Sequence, residues 1–156
     1  MQAAASEFAA ISSNNILTGC IGCLDGWLCE IKAPSSNEVP DVSSFFFGHY
    51  LTYGINVQAM CDASCKFIGY CFNSPGKVSD SVAFKKWQVS EDITELPFGF
   101  YVIGDNAYLL APSMLVPFTK PEIKTPAHYA YNFYISQLRI RIEMSFGLLV
   151  NKWQVF

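Results

Sequence analysis

The chain has 156 residues, enough for one domain with a sizeable core, and 51% hydrophobic against 15% charged content excludes a disordered polymer. Its net charge of −3 is uneven: residues 1–119 carry 5 Lys/Arg against 11 Asp/Glu, whereas residues 120–156 carry 5 against 2. That balance argues against a strong nonspecific grip on nucleic acid by this chain alone, but it is compatible with a nuclease core, whose site must itself be acidic. No run approaches the ~18 consecutive apolar residues of a membrane helix, so no membrane partner is expected. The first residues lack a basic n-region and no Asn-x-Ser/Thr acceptor occurs, so the expected setting is intracellular.

Alanine content predicts a helix over residues 2–12, broken by Ser12-Ser13-Asn14-Asn15. Ile16 to Leu24 reads as a strand, Asp25-Gly26 as a turn, and Trp27 to Ile31 as a second strand. Prolines and serines mark residues 33–41 as a loop. The following Phe45-Phe46-Phe47-Gly48-His49-Tyr50 is either a hydrophobic plug under the sheet or an aromatic platform near a substrate, with His49 touching a phosphate. Tyr53 to Asp62 alternates with period two and, with Phe67 to Phe72, predicts a hairpin. Ser79 or Asp80 can cap a short helix over Ser81 to Trp87, and residues 92–97 read as a polar connection. Phe100 to Ile103 predicts a central strand, and residues 109–127, with four prolines, a long ordered loop. The last segment is open: Leu138-Arg139-Ile140-Arg141-Ile142-Glu143-Met144 alternates like a strand, while its proline-free length fits a helix.

Cys20 and Cys23 are an odd number of residues apart, so on a regular strand they face opposite sides. Cys29, Cys61 and Cys71 lie in apolar runs. The expectation is reduced core thiols rather than zinc ligands or disulfides.

The chemistry-bearing residues are carboxylates placed next to glycine or at the end of apolar runs. If Gly19 to Leu24 is a buried strand, Asp25 emerges at its tip, where a charge is costly unless paired, and a divalent cation is a common partner. Asp105 follows Val102-Ile103-Gly104 in the same way, and Glu143 follows Arg139 and Arg141. Three carboxylates from distant parts of the chain could converge on Mg²⁺. Taken singly, Asp25 could simply occupy a turn, Asp105 could cap a helix, and Glu143 could pair with Arg139 on a helix surface.

The order of short motifs adds to this. Cys23-Leu24-Asp25-Gly26, Tyr53-Gly54-Ile55-Asn56-Val57-Gln58-Ala59, Ser74-Pro75-Gly76 with Ser79-Asp80-Ser81, Gly104-Asp105-Asn106-Ala107-Tyr108, Val116-Pro117-Phe118, Tyr131-Asn132, and Arg139 with Glu143 and Phe146-Gly147 together resemble the DDE endonuclease domain of PIF/Harbinger-type transposases. The resemblance spans residues 18–156 and leaves residues 1–17 as a helical or disordered extension. It implies an α/β, RNase H-like fold: a mixed five-stranded sheet flanked by helices, with three antiparallel strands first and parallel strands after. It also implies a helix around Glu143.

The resemblance further implies Asp25, Asp105 and Glu143 as catalytic and metal-binding residues, with Asp80, Arg139 and Asn132 in support, and Mg²⁺ or Mn²⁺ as cofactor, in two ions. DNA is the implied partner and the nucleus the implied location. The sequence departs from the pattern before the Tyr53 strand, where Phe47-Gly48-His49-Tyr50-Leu51 stands in place of basic residues. No helix-turn-helix precedes the motifs, so targeting is expected from a separate DNA-binding protein. The alternative is an inert, domesticated copy acting as an interaction module.

Overall fold

The computed structural model describes residues 1–153. Helix α1 (Gln2–Ile11) follows the alanine-rich start and buries Ala5 and Phe8 completely. It stops at Ser12, and Asn14 and Asn15 take left-handed backbone angles, φ 58° and 51°, which asparagine tolerates better than most residues.

Strand β1 (Cys20–Glu30) is continuous for 11 residues. The expected pair of strands with a turn at Asp25-Gly26 is therefore one strand, and Asp25 lies at its middle rather than its tip. The reason is pairing: β3 (Thr52–Cys61) runs antiparallel to it without interruption, from Cys23 opposite Cys61 to Glu30 opposite Gly54. Gly26 thus makes room for the Asp80 carboxylate and forms no turn.

The aromatic segment forms a short 3-10 turn and the two-residue strand β2 (Phe46–Phe47), which pairs with the start of β3. The predicted hairpin is present as β3 and β4 (Phe67–Pro75). Helix α2 (Asp80–Lys85) begins at N-cap Ser79, and a second short helix, α3 (Val89–Thr94), occupies part of what reads in sequence as a connection. Strand β5 (Tyr101–Ile103) runs parallel to β1, and β6 (Met114–Leu115) runs parallel to β5 inside the proline-rich loop. The open final segment is helical: α4 (Pro126–Trp153) runs for 28 residues, about 42 Å.

The sheet order is β2-β3-β1-β5-β6, with β4 paired to β3 along the edge opposite β1. This is the expected mixed α/β architecture, antiparallel in its first half and parallel in its second, consistent with an RNase H-like fold. It has six strands rather than five because the two-residue β2 joins the edge. One core cluster lies on the side of α1 and α4 and contains Phe8, Cys23, Ile103, Ile135, Leu138 and Ile142. The other lies on the side of α2 and α3 and contains Leu24, Ile93, Val102, Tyr108 and Met114. The result is a three-layer stack, helix on sheet on helix.

Cys20 and Cys23 share the first cluster instead of facing opposite sides. The pairing of β1 with β5 skips a residue between Cys20 and Gly22, and such a bulge resets strand parity. All six cysteines are free thiols, and burial pushes Cys61 up to about 12 and Cys23 well up, so both remain neutral small hydrophobes. No described helix is long and apolar enough to cross a membrane.

Candidate active site

The site is set by where β5 stops. Cys23 lies opposite Ile103, and β5 ends there, while β1 continues along β3. Two residues further on in each chain segment come Asp25 and Asp105. Beyond that point β1 has lost its neighbour on this edge, so the sheet opens a notch flanked by two aspartates, at the carboxyl end of a parallel pair. Ligand-binding crevices form at such places in open α/β sheets.

Asp25 points to the α4 side. Its Oδ1 accepts from the Gly26 N–H at 2.8 Å, and its Oδ2 lies 3.3 Å from the Arg139 guanidinium. One helical turn along α4, Glu143 pairs with the other end of the same guanidinium at 2.6 Å. Burial first, and the negative charge of Asp105 second, push the Asp25 carboxyl up to about 6, against the opposing pull of the Gly26 N–H and of Arg139. Asp105, held by the Ala107 N–H at 2.8 Å, is also raised, chiefly by burial and then by the charge of Asp80.

Asp80 comes from the opposite face. Gly26 follows Asp25 on the strand, so it looks toward α2, where Gln58 is its cross-strand partner. A Cβ at Gly26 would collide with Asp80 Oδ1 and fall 2.7 Å from Gln58 Nε2. Glycine is therefore required there for the Asp80 carboxylate to reach the strand. Asp80 does not cap its own helix. Its Oδ1 accepts from Asn56 Nδ2 at 2.8 Å and Gln58 Nε2 at 2.9 Å. Gln58 Oε1 in turn accepts from the Tyr108 hydroxyl at 2.6 Å, and Asn56 Nδ2 also donates to the Val78 carbonyl. Gln58 is 1% exposed, Tyr108 4% and Asn56 7%, so this is a buried, mutually satisfied polar network. Burial and the three surrounding aspartates hold the Tyr108 hydroxyl far from ionisation.

The structure thus brings Asp25, Asp105, Arg139 and Glu143 to one notch, with Asp80 reaching the same end from the other face. Among the described residues, no three His, Cys, Asp or Glu side chains form a set spaced to share one ion. Glu143 is engaged with Arg139. Asn132 acts elsewhere. Its amide oxygen accepts from the Phe118 N–H at 2.8 Å and its amide nitrogen donates to the Phe118 carbonyl at 2.9 Å, pinning the loop after β6 to α4. Sequence reasoning does not single out Asn56, Gln58 and Tyr108 as site residues. The available signal is two amides two residues apart in an otherwise apolar strand.

Residues 24–156, from the start of the Leu24-Asp25-Gly26 motif onward, match the family described as DDE superfamily endonuclease. The chain belongs to that family. Among curated proteins it is 26% identical over 133 residues to "Putative nuclease HARBI1" of Rattus norvegicus, covering 85% of this chain and 35% of the relative. The Xenopus laevis protein of the same name is 26% identical over 115 residues, covering 73% of this chain and 31% of the relative. The chain therefore spans about a third of the length of the curated relatives it matches. No solved structure matches it. The resemblance to Harbinger-type sequences is supported, and as a DDE-family domain the chain belongs to proteins that generally use divalent metals.

Proposed function

We propose that this DDE domain is a divalent-metal-dependent DNA endonuclease of the transposase type, with Asp25, Asp105 and Glu143 as its catalytic carboxylates. The observation that supports it best is the placement of Asp25 and Asp105 two residues beyond the last β1–β5 pair, each with a raised proton affinity. Two partly buried carboxylates whose proton affinity stays raised despite Arg139 are under-compensated, and oxygen-only ligands of this type suit Mg²⁺ or Mn²⁺. The donor set fits a hard cation at Asp25 and Asp105. Glu143, whose side chain is 49% exposed, joins them only by leaving Arg139.

Bound there, a pair of such ions supplies an activated water and charge compensation for the leaving oxygen of an in-line displacement. The chain's own residues do the rest. Asp25 is fixed in its strand by eight consecutive cross-strand pairs, so its carboxylate is preorganised. Arg139 bridges Asp25 and Glu143 and neutralises part of their charge. Asp80, locked by Asn56 and Gln58, deepens the negative potential around Asp105. The substrate is DNA, targeting comes from a separate DNA-binding protein, and the site of action is the nucleus. A 3′-hydroxyl freed in the same notch would be placed to attack target DNA, giving strand transfer.

One observation favours a second reading. The Arg139 guanidinium already supplies a positive charge between Asp25 and Glu143, as a permanent substitute for metal in an inert, domesticated interaction module would do. Nicking of supercoiled plasmid separates the two. The endonuclease reading expects cleavage that requires Mg²⁺ or Mn²⁺ and is abolished in Asp105→Ala. Wild type no better than Asp105→Ala, together with no heat of Mg²⁺ binding in calorimetry, leaves the interaction module.

A further inference from the structure

On the α2 side of the notch lies a cavity of about 360 Å³ that the carboxylate chemistry does not use. Its apolar wall is made by Phe47, Tyr50 and Leu28, and its polar edge by Asn56, Ser79 and Asp80. It is joined to the candidate active site through Ala107, which lines it and whose N–H holds Asp105. Gly26 lines it as well, one residue from Asp25. The aromatic wall is a small assembly: the Phe47 and Tyr50 rings lie 5.4 Å apart, and His49 packs edge-on to Tyr50 at 4.8 Å. Tyr50 remains 63% exposed, and the next residue, Leu51, takes a left-handed φ of 55°, a costly conformation for a leucine. The segment is therefore a platform at the rim, and neither of its rim rings is a plug under the sheet.

We propose that this cavity is a nucleobase subsite, taking one unpaired base of the DNA whose backbone crosses Asp25 and Asp105, with Tyr50 and Phe47 as its stacking surface. This rests on the endonuclease reading and adds to it the substrate class, a duplex with a base out of its stack beside the cut. Three features select a base. Among the described residues no Lys or Arg lines the cavity, and the Asp80 carboxylate at its edge repels a phosphate; His49 packs against Tyr50 without lining the cavity itself. A planar ring with a hydrogen-bonding edge satisfies both halves of the lining, the rings by stacking and the Ser79 hydroxyl and Asp80 carboxylate by edge contacts. The size falls in the ~300–1,000 Å³ range of small-ligand pockets, and through Gly26 and Ala107 the cavity borders the residues next to Asp25 and Asp105.

The test uses the full chain in Ca²⁺ with two otherwise identical DNA duplexes, one fully paired and one carrying a single unpaired 2-aminopurine. Wild type is expected to bind the second about 5- to 100-fold more tightly, the range of one base–aromatic stack, with quenching of the 2-aminopurine fluorescence. Tyr50→Ala should lose both the preference and the quenching, and Tyr50→Phe should keep them. Equal binding of the two duplexes by wild type, or a preference that survives Tyr50→Ala, overturns the subsite. Repeating the comparison in Mg²⁺ separates this idea from the one beneath it. Equal cutting of both duplexes by wild type and Tyr50→Ala removes the subsite and leaves the endonuclease. A Tyr50-dependent preference in binding without any cutting keeps the subsite and removes the endonuclease.

Discussion

The two faces of the sheet hold their acidic residues by different physics. On the α4 face, Asp25 and Glu143 are held by one cation, Arg139, in a partly exposed cluster. On the α2 face, Asp80 is held by neutral amides, Asn56 and Gln58, in a buried network closed by Tyr108. An ion pair near solvent is weak and can exchange one cation for another. A buried set of satisfied hydrogen bonds is costly to break, because each group left behind loses its partner without regaining water. The first face is built to be rearranged and the second to stay, and substitutions on each can break that contrast separately.

The largest effect is expected on the permanent side. Gln58→Leu keeps the volume roughly constant but strands the Tyr108 hydroxyl and removes one of the two donors to Asp80. An orphaned buried hydroxyl and a less satisfied carboxylate together should cost about 3–4 kcal/mol, read as a lower urea midpoint at unchanged slope. Gly26→Ala should follow at about 2 kcal/mol, since its methyl group would displace Asp80 from the strand. A double variant, Gly26→Ala with Asp80→Ala, should recover part of that loss. If it does not, Gly26 answers to something other than Asp80.

On the exchangeable side the expected signature is a pH dependence. The unfolded chain ionises Asp25 near the ordinary 3.8, whereas the folded chain holds the proton up to about 6. Between those values the folded state binds more protons than the unfolded one, so stability falls as pH rises through this window. The loss is complete above about pH 6 and amounts to about 2–3 kcal/mol, with Asp105 adding in the same direction. Melting temperature measured without metal from pH 4 to pH 8 should therefore decline, and Asp25→Asn should flatten the curve and be the more stable protein at pH 8. Adding Mg²⁺ at ten times its dissociation constant should return about 1.4 kcal/mol at pH 8 and much less at pH 5, where the proton competes. A melting temperature that rises from pH 4 to pH 8 would contradict the buried, under-compensated carboxylate.

What the sequence makes legible follows the same division. The hairpin, the β5 strand and the Asp–Gly neighbourhoods are local patterns, and alternation and short apolar runs report local burial. The DDE motif order carries the overall architecture and the helix around Glu143, which period two alone does not decide. The network on the α2 face is not legible. Asn56 and Gln58 alternate with Ile55 and Val57, a pattern that reads as polar outside, yet the amides are buried and the aliphatics half-exposed. Only tertiary pairing with Asp80 makes that arrangement tolerable. The glycine after Asp25 marks the right residue for the wrong local reason, because Gly26 makes room for a side chain from another element. The shared face of Cys20 and Cys23 is hidden by a bulge that strand parity cannot anticipate.

The smallest stability effect belongs to the residue on which the proposed chemistry leans as heavily as on any. Glu143→Gln removes an i,i+4 pair whose acidic partner is about half exposed, and such pairs contribute only about 0.3–0.5 kcal/mol. Melting temperature should shift by little more than a degree or two. Under the endonuclease reading, the same substitution should cost orders of magnitude in Mg²⁺-dependent nicking while leaving DNA binding in place. Arg139→Gln supplies the complementary half. It frees Glu143 and withdraws a cation that lowers the proton affinity of Asp25, so the stability decline should extend to higher pH and become larger, and the response to Mg²⁺ should grow. If Glu143→Gln is silent in both stability and nicking, the glutamate is a surface partner of Arg139 and nothing more. If Arg139→Gln abolishes the Mg²⁺ response, the guanidinium organises the metal site rather than competing for it.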